Sequence, residues 1–477
     1  MSISNGQRKI TIVGGGMGGS LMAIFLARRG YDVEIYERRP DIRRNEAERG
    51  RSINLTLAKR GLNVLEEVGI DRDELMRLTV PLKGRMIHTA KGKLKYSPYG
   101  QHEDEVIYSI MRNDLNILLM NLSESYPNVK YFFRRRCTGL DKRTGVAEFL
   151  NEDTDEKSQV QSEIIIGADG TFSTVRQSMQ RGVRSNYKQE FLDSGYKELK
   201  IPPRLDGSCL LDRNVLHVWP RGDYLLLAMA NMNNSLTVTC ILPFYGETSL
   251  DSLTHKSDVN AFFENYFSDA LPLCPALVDD FVNGQAAALL TTSTSHWYHD
   301  DRVVLLGDAV HTMTPFYGQG MNAAFEDCLV LNQCIGRHPN DWQAVFGEYQ
   351  SLRKPHTDAI GELSVKNFIE LRDKVRLPIV AVHKKIDFIM HRLFPTKWVP
   401  LYTMISHTAM PYADAVEKAR RQDRVFKWLG VDALCQLGSA FFSLRLKIIK
   451  RRTIRTKALQ ELYLTRQGAR AVKNTGY

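Results

Sequence analysis

The chain has 477 residues, 43% of them hydrophobic and 25% charged, with a formal net charge of +10. That length exceeds one simple core and calls for two or three domains, and the composition is that of a soluble globular protein without repeats or low-complexity blocks. The 7 cysteines are scattered with no CxxC pair, which excludes a disulfide framework and a zinc site and fits a reducing cytoplasmic setting.

The charge is unevenly placed. Val416 to Tyr477 holds 15 Lys+Arg against 4 Asp+Glu, so the first 415 residues are close to neutral. A nucleic-acid-binding body is therefore not expected. The basic tail, with "FFSLRLKIIKRR", reads either as a helix with a solvated basic face or as a peripheral contact with an anionic membrane surface. No stretch is long and apolar enough for a transmembrane span. No secretory signal is expected either, because the chain enters a strand almost at once.

The predicted elements begin with "KITIVGGGMGGSLMAIFLARRGYDVEIYE". Lys9 to Val13 is a buried strand, Ser20 to Arg29 a helix, and Val33 to Tyr36 a second strand ending at Glu37. Gly14, Gly16 and Gly19 fill G-x-G-x-x-G between strand and helix. The first glycine makes the turn, the second admits a pyrophosphate, and the third lets the helix pack close. Glu37 stands about 20 residues on, where an acid accepts the ribose hydroxyls and repels a 2′-phosphate. The dinucleotide is therefore FAD or NAD(H), not NADPH.

Between Tyr224 and Gly246 two strands are expected around a polar turn at Asn231, Asn233 and Asn234. "IIIGADGTFSTVR" places Asp169 after another buried strand. "VVLLGDAVHTMTPFYGQGMNAAFED" places Asp308 after a third and leads into a helix. Both are strand-to-loop junctions, where ligands sit in α/β folds. A chain that returns to its first domain after a long excursion points to a flavin enzyme.

With "ERGRSINLTLAKRG", "KGRMIH", "SPYG", "HVWPRGDYLLLAMANMN" and "NFIELRD", these stretches resemble the single-component aromatic flavoprotein hydroxylases, the family of p-hydroxybenzoate hydroxylase, and within it the branch acting on L-kynurenine. The likeness runs from residue 10 to about 412. It implies an α/β fold with a discontinuous Rossmann-like FAD domain over 1–180 and 290–375. An inserted antiparallel β-sheet substrate domain covers 181–289, and a C-terminal helical region with the basic tail covers 376–477. It implies NADPH and O2 as co-substrates, no metal, and 3-hydroxylation of kynurenine in tryptophan degradation and NAD biosynthesis. The oxidant is a flavin C4a-hydroperoxide, so no side chain is assigned as catalytic. His311 is left with a structural hydrogen-bonding role.

Residue by residue, the resemblance places FAD contacts at Glu37, Arg38, Arg112, Asp308, Met321 and Asn322. Gly14, Gly16, Gly19, Arg51, Leu57, Asp169 and Gly320 adjoin them. It puts the substrate carboxylate on Arg85 and Tyr99, completes the polar clamp with Asn367 and Tyr412, and walls the ring with Phe244, Pro315, Phe316 and Tyr317. Tyr317 stands where the resemblance expects Phe or His. There is no second G-x-G-x-x-G, so no dedicated NADPH domain is expected. A flavin halogenase is disfavoured because W-x-W-x-I-P is absent. Two rivals stay open: a related hydroxylase of another arylamine or phenol, and a flavin-binding protein without catalysis.

Overall fold

The computed structural model describes residues 9–44, 53–274, 276–374 and 378–428. At its centre is a six-stranded sheet in the order Tyr298–His299, Val303–Leu305, Ile164–Gly167, Lys9–Val13, Asp32–Tyr36, Val129–Phe132. All neighbours are parallel except the first pair. Parallel strands covered on both faces read as unbroken apolar runs. Ile10, Ile12, Ile165, Ile166, Val303 and Val304 are accordingly all at 0% exposure. The helix Met17–Arg28 packs between this sheet and the helix Gly320–Arg337, where the Cys328 thiol donates to the Gly18 carbonyl at 3.3 Å. Residue 303 thus returns to the first sheet beside the strand of residue 164, and the four strand ends at Val13, Tyr36, Gly167 and Leu305 open on one edge.

The second large sheet has seven strands. Five come from the middle of the chain: Ala287–Thr294, Tyr187–Ile201, Leu236–Pro243, Leu225–Ala230 and Val215–Pro220. The expected turn between two of them is present, with Asn234 at φ 61° and Asn231 N–H bonded to Ser235 O. The other two strands, Gly84–His88 and Leu94–Pro98, come from far upstream, within the segment expected to belong to the nucleotide domain. Gly84–His88 joins through one parallel junction, Leu216 opposite Arg85, so the sheet is antiparallel apart from that seam. Pairing between residues 131 apart leaves no local mark in "KGRMIH", so its place in this sheet is not legible from sequence.

The two faces of this sheet differ. One carries Trp219, Leu226, Cys240 and Leu242 under the helices Lys256–Phe267 and Leu277–Asn283. The other carries Val218, Leu225, Ile241 and Leu289 against Phe316, Phe368 and Leu371.

Residues up to 375 form one compact unit with Pro400–Val416, and 376–399 with residues from 417 form a second. In the second, Trp398 Nε1 donates to Asp387 at 3.0 Å and His391 Nδ1 to the Trp398 carbonyl at 2.6 Å. Among the described residues no helix is long and apolar enough to cross a membrane, and no cluster of metal-ligating side chains occurs. The basic run beyond residue 428 lies outside the described residues.

Candidate active site

The glycine turn is built as its spacing requires. Gly14 sits at φ +108° under the Ala168 carbonyl, into which a side chain would collide. A Cβ on Gly19 would run into the Gly14 carbonyl, so the helix can approach only without one. Gly16 is different: a Cβ there would meet no protein atom within 4 Å. Open space therefore lies over the N-terminus of a 12-residue helix, whose first N–H groups have no intrahelical acceptor.

Glu37 closes one end of that space. Its Oε2 accepts from Gly15 N–H at 2.8 Å and its Oε1 from Arg39 N–H and Nε at 2.9 Å. Burial opposes its ionisation, but the Arg39 guanidinium and the two N–H groups outweigh burial and hold the carboxyl below its ordinary range. An ionised, buried acid with spare lone pairs suits a ribose diol. Arg38 beside it is exposed. Arg51 lies outside the described residues.

Asp169 lies next to Gly14 and holds its own loop. It accepts from Ser173 Oγ at 2.5 Å, Thr174 N–H at 2.7 Å and Val175 N–H at 3.1 Å. Burial dominates these bonds and raises its carboxyl.

Asp308 heads the turn Asp308–His311 after Gly307 at φ +59°. Its side chain is exposed to solvent, with many protein atoms around it. Burial raises its carboxyl, and His311 and Arg112 oppose that only in part. Asp308 and Arg112 are thus near enough to interact, and both are exposed.

The helix Gly320–Arg337 begins shortly after this turn. Met321 and Leu57 are buried. Asn322, at 0% exposure, accepts from Ala58 N–H at 2.9 Å and donates to Thr56 O at 2.8 Å and Gly318 O at 2.9 Å. Its side chain binds the strand Asn54–Leu57 and the Gly318 turn rather than a ligand, and its backbone N–H, with those of Gly320 and Met321, faces outward from the helix start. The open space over Gly16, the ionised Glu37 and the accessible Asp308 fit a bound FAD.

The predicted substrate residues divide. Arg85 is half-buried, with its guanidinium 5.3 Å from the Tyr99 ring and 5.5 Å from the Tyr402 ring. Its Nε has no hydrogen-bond partner, and no carboxylate among the described residues pairs with it. Tyr99 stacks on Tyr402 at 4.9 Å and 13°, and Tyr317 meets Tyr402 at 5.7 Å. Burial pushes the Tyr317 phenol up, Arg85 opposes this and Glu370 adds to it, so the hydroxyl stays a donor at neutral pH. The helix Trp342–Ile369 fixes the neighbouring wall: Ser364 Oγ donates to Thr314 O, and Asn367 Nδ2 to Phe316 O, each at 2.6 Å. Phe316 stacks on Phe368 at 4.3 Å, while Pro315 is exposed.

Two expected residues do not join this group. Phe244 packs on the far face of the seven-stranded sheet, under the two covering helices, because it stands an odd number of residues from Ile241, which faces the site. Tyr412 is fully buried elsewhere: its hydroxyl donates to Gln319 Oε1 at 2.8 Å and its ring lies 3.7 Å from the Arg60 guanidinium. Two residues were missed. Tyr402, on the short helix Leu401–Ser406, takes the place expected of Tyr412. Glu370 supplies the acid near Tyr317, and its position three residues after Asn367 on one helical face was a signal available in the sequence.

His311 is part of a buried ionic chain. Its Nε2 donates to Asp327 at 2.6 Å; Arg353 bonds Asp327 at 2.7 Å and Glu326 at 2.6 Å; Arg60 bonds Glu326 at 2.9 Å. Burial works against the imidazolium, but Asp327 prevails and raises its pKa above 6.5. A folded-state pKa above the unfolded one stabilises fully below about 6.5, and that stabilisation is lost as pH rises through the folded value. Urea unfolding against pH is therefore expected to show stability falling on the alkaline side, and His311→Asn should flatten that limb. An unchanged slope would contradict the ion pair.

Residues 7–362 match the family model described as FAD binding domain. Among curated proteins the chain is 42% identical over 447 residues to the kynurenine 3-monooxygenase of Salinispora arenicola, covering 94% of this chain and 98% of that one. It is 41% identical to that of Flavobacterium johnsoniae, covering 86% and 90%, and 38% identical to that of Dictyostelium discoideum, covering 86% and 90%. Among solved structures it is similar in fold to 2-methyl-3-hydroxypyridine-5-carboxylic acid oxygenase in its tetrameric form (TM-score 0.64, 20% identity, 78% of this chain and 94% of that one). It is also similar to Pseudomonas aeruginosa PqsL in complex with 2-aminobenzoylacetate (TM-score 0.61, 19% identity, 77% and 97%). With two-fifths of its residues shared along nearly the full length of these relatives, the chain belongs to the kynurenine 3-monooxygenase family of FAD-binding flavoproteins.

Proposed function

We propose that the chain hydroxylates L-kynurenine at ring position 3, consuming NADPH and O2. The observation that carries the substrate is Arg85: a guanidinium with no acidic partner among the described residues, walled by Tyr99, Tyr402 and Tyr317. A planar fork in such a site calls for a carboxylate, and the surrounding rings call for an aromatic body. Glu370, close enough to act on the Tyr317 phenol, offers the opposite charge for an α-ammonium group. The arrangement suits a zwitterionic aromatic amino acid better than a simple phenol.

When bound, FAD supplies hydride acceptance from NADPH and activation of dioxygen for transfer of one oxygen atom. Glu37 and the N-terminus of Met17–Arg28 hold its adenosine and pyrophosphate. Asp308 and Arg112 line the cleft, and the outward N–H groups of Gly320, Met321 and Asn322 favour negative charge on a ligand at the helix start. Phe316 and Tyr317 form the wall between this cleft and the Arg85 box, keep water from the reacting ring and are held in place by Ser364 and Asn367. The Tyr317 hydroxyl adds a donor to that wall. His311 is tied to Asp327 and takes no part in proton transfer.

The reading is tested by purifying the flavin-loaded protein and following NADPH oxidation. Kynurenine should stimulate it many-fold and p-hydroxybenzoate should not. A preference for the phenol would favour a related hydroxylase of another ring, and protein that binds no flavin would defeat the reading.

A further inference from the structure

Tyr402 reaches Arg85 from a short helix near the end of the unit, and something must hold that helix against the rest. Few contacts do so. Arg60, on the helix Lys59–Glu67, is 2% exposed and directs one nitrogen to Glu326 at 2.9 Å. Its other terminal nitrogen bonds the Met410 carbonyl at 2.9 Å and approaches the Ile405 carbonyl at 3.4 Å. Ile405 lies in the last turn of Leu401–Ser406, where carbonyls lack intrahelical donors and a cation is favoured. The Tyr412 ring covers the same guanidinium at 3.7 Å, and its hydroxyl is tied to Gln319. One arginine therefore bonds the backbone at Ile405 and at Met410 in the 407–411 turn and stacks on Tyr412, the residue that follows it.

We infer that Arg60 is a positioning residue for substrate binding: by holding the Ile405 and Met410 carbonyls it fixes Tyr402 against Tyr99 beside Arg85. It touches neither substrate nor cofactor in this account and acts only through Tyr402. The inference rests on the reading of the Arg85 box as the kynurenine site. A lysine at position 60 keeps the charge for Glu326 but lacks the planar fork that serves Glu326 and two carbonyls together.

The test is a double-mutant cycle in the full-length holoenzyme, with kynurenine binding read from the perturbation of the flavin spectrum. Flavin content should be unchanged in Arg60→Lys, and the kynurenine Kd should rise about tenfold, the scale of coupling between residues in one network. Tyr402→Leu should raise it also, and the double variant should be no worse than Tyr402→Leu alone. Effects that multiply, or an Arg60→Lys protein of parental affinity, would overturn the assignment. If Arg60→Lys does not accumulate as folded protein, Tyr412→Phe replaces it in the cycle. Removing the hydroxyl bonded to Gln319 should weaken kynurenine binding in parental Tyr402 and not in Tyr402→Leu, and equal effects in both would overturn the proposal. Failure of the substrate reading itself would show earlier, as a parental holoenzyme whose flavin spectrum kynurenine does not perturb.

Discussion

Arg85→Lys is expected to raise the KM for kynurenine about 10- to 100-fold while bound FAD per chain stays unchanged. The magnitude follows from replacing a bidentate, charge-assisted pair by a point charge, a loss on the order of 1.5–3 kcal/mol. The site amplifies it, because the guanidinium is flanked by rings at 5.3 and 5.5 Å and pairs with no acid among the described residues. Lysine would keep the positive charge and lose the fork. FAD should be retained because Arg85 lies on a strand of the second sheet, while the dinucleotide cradle lies at the strand ends of the first. Steady-state kinetics with the flavin absorbance of the purified variant decide it. An unchanged KM would remove the substrate carboxylate from Arg85.

Asn322→Leu should cost on the order of 2 kcal/mol and strip the protein of flavin. The residue is fully buried, and its amide satisfies Ala58 N–H, Thr56 O and Gly318 O. Leucine is close in size but would leave Ala58 N–H and Thr56 O without that partner and Gly318 O with the Thr56 hydroxyl alone, each orphaned group costing about 1 kcal/mol or more. Gly61 packs directly against the same amide, so the site has little room to relax. Because these bonds hold the Gly318 turn and the start of the helix Gly320–Arg337, their loss should disorder the cleft beside Asp308. A thermal melt and flavin retention on gel filtration measure both effects. A variant with parental melting and flavin content would show that the network is dispensable.

The nucleotide half was legible because its signals are local. A strand, three spaced glycines, a helix and an acid fall within 30 residues of "KITIVGGGMGGSLMAIFLARRGYDVEIYE", and each glycine has the steric reason its spacing implies. The hairpin around Asn231 to Asn234 was legible for the same reason. The substrate half depends on long-range docking. Arg85 and Tyr99 came only from the family resemblance, because a lone arginine in a strand has no distinguishing mark. Tyr412 was expected in the clamp, whereas Tyr402 is the one beside Arg85, and both stand at the start of a helix. Which of them meets Arg85 depends on how the 407–411 turn is gripped by Arg60, and no pattern in the sequence encodes that. Phe244 failed on parity: alternation assigns it to the face opposite Ile241, but only once it is known which face meets the flavin domain. Asn322 was identified at the right place with a different use, since its side chain binds protein and its backbone faces the cleft. His311 resembles a catalytic base in sequence, and the structure commits it to Asp327.

The central claim is that this fold and this site transfer one oxygen atom to the ring of kynurenine. Its most direct measurement is mass spectrometry of the product formed by the purified holoenzyme from kynurenine, NADPH and isotopically labelled dioxygen. The expected product is 3-hydroxykynurenine carrying one labelled oxygen, formed in near-equal amount to the NADPH consumed. Kynurenine recovered unchanged while NADPH is oxidised, or a product hydroxylated elsewhere on the ring, would contradict it.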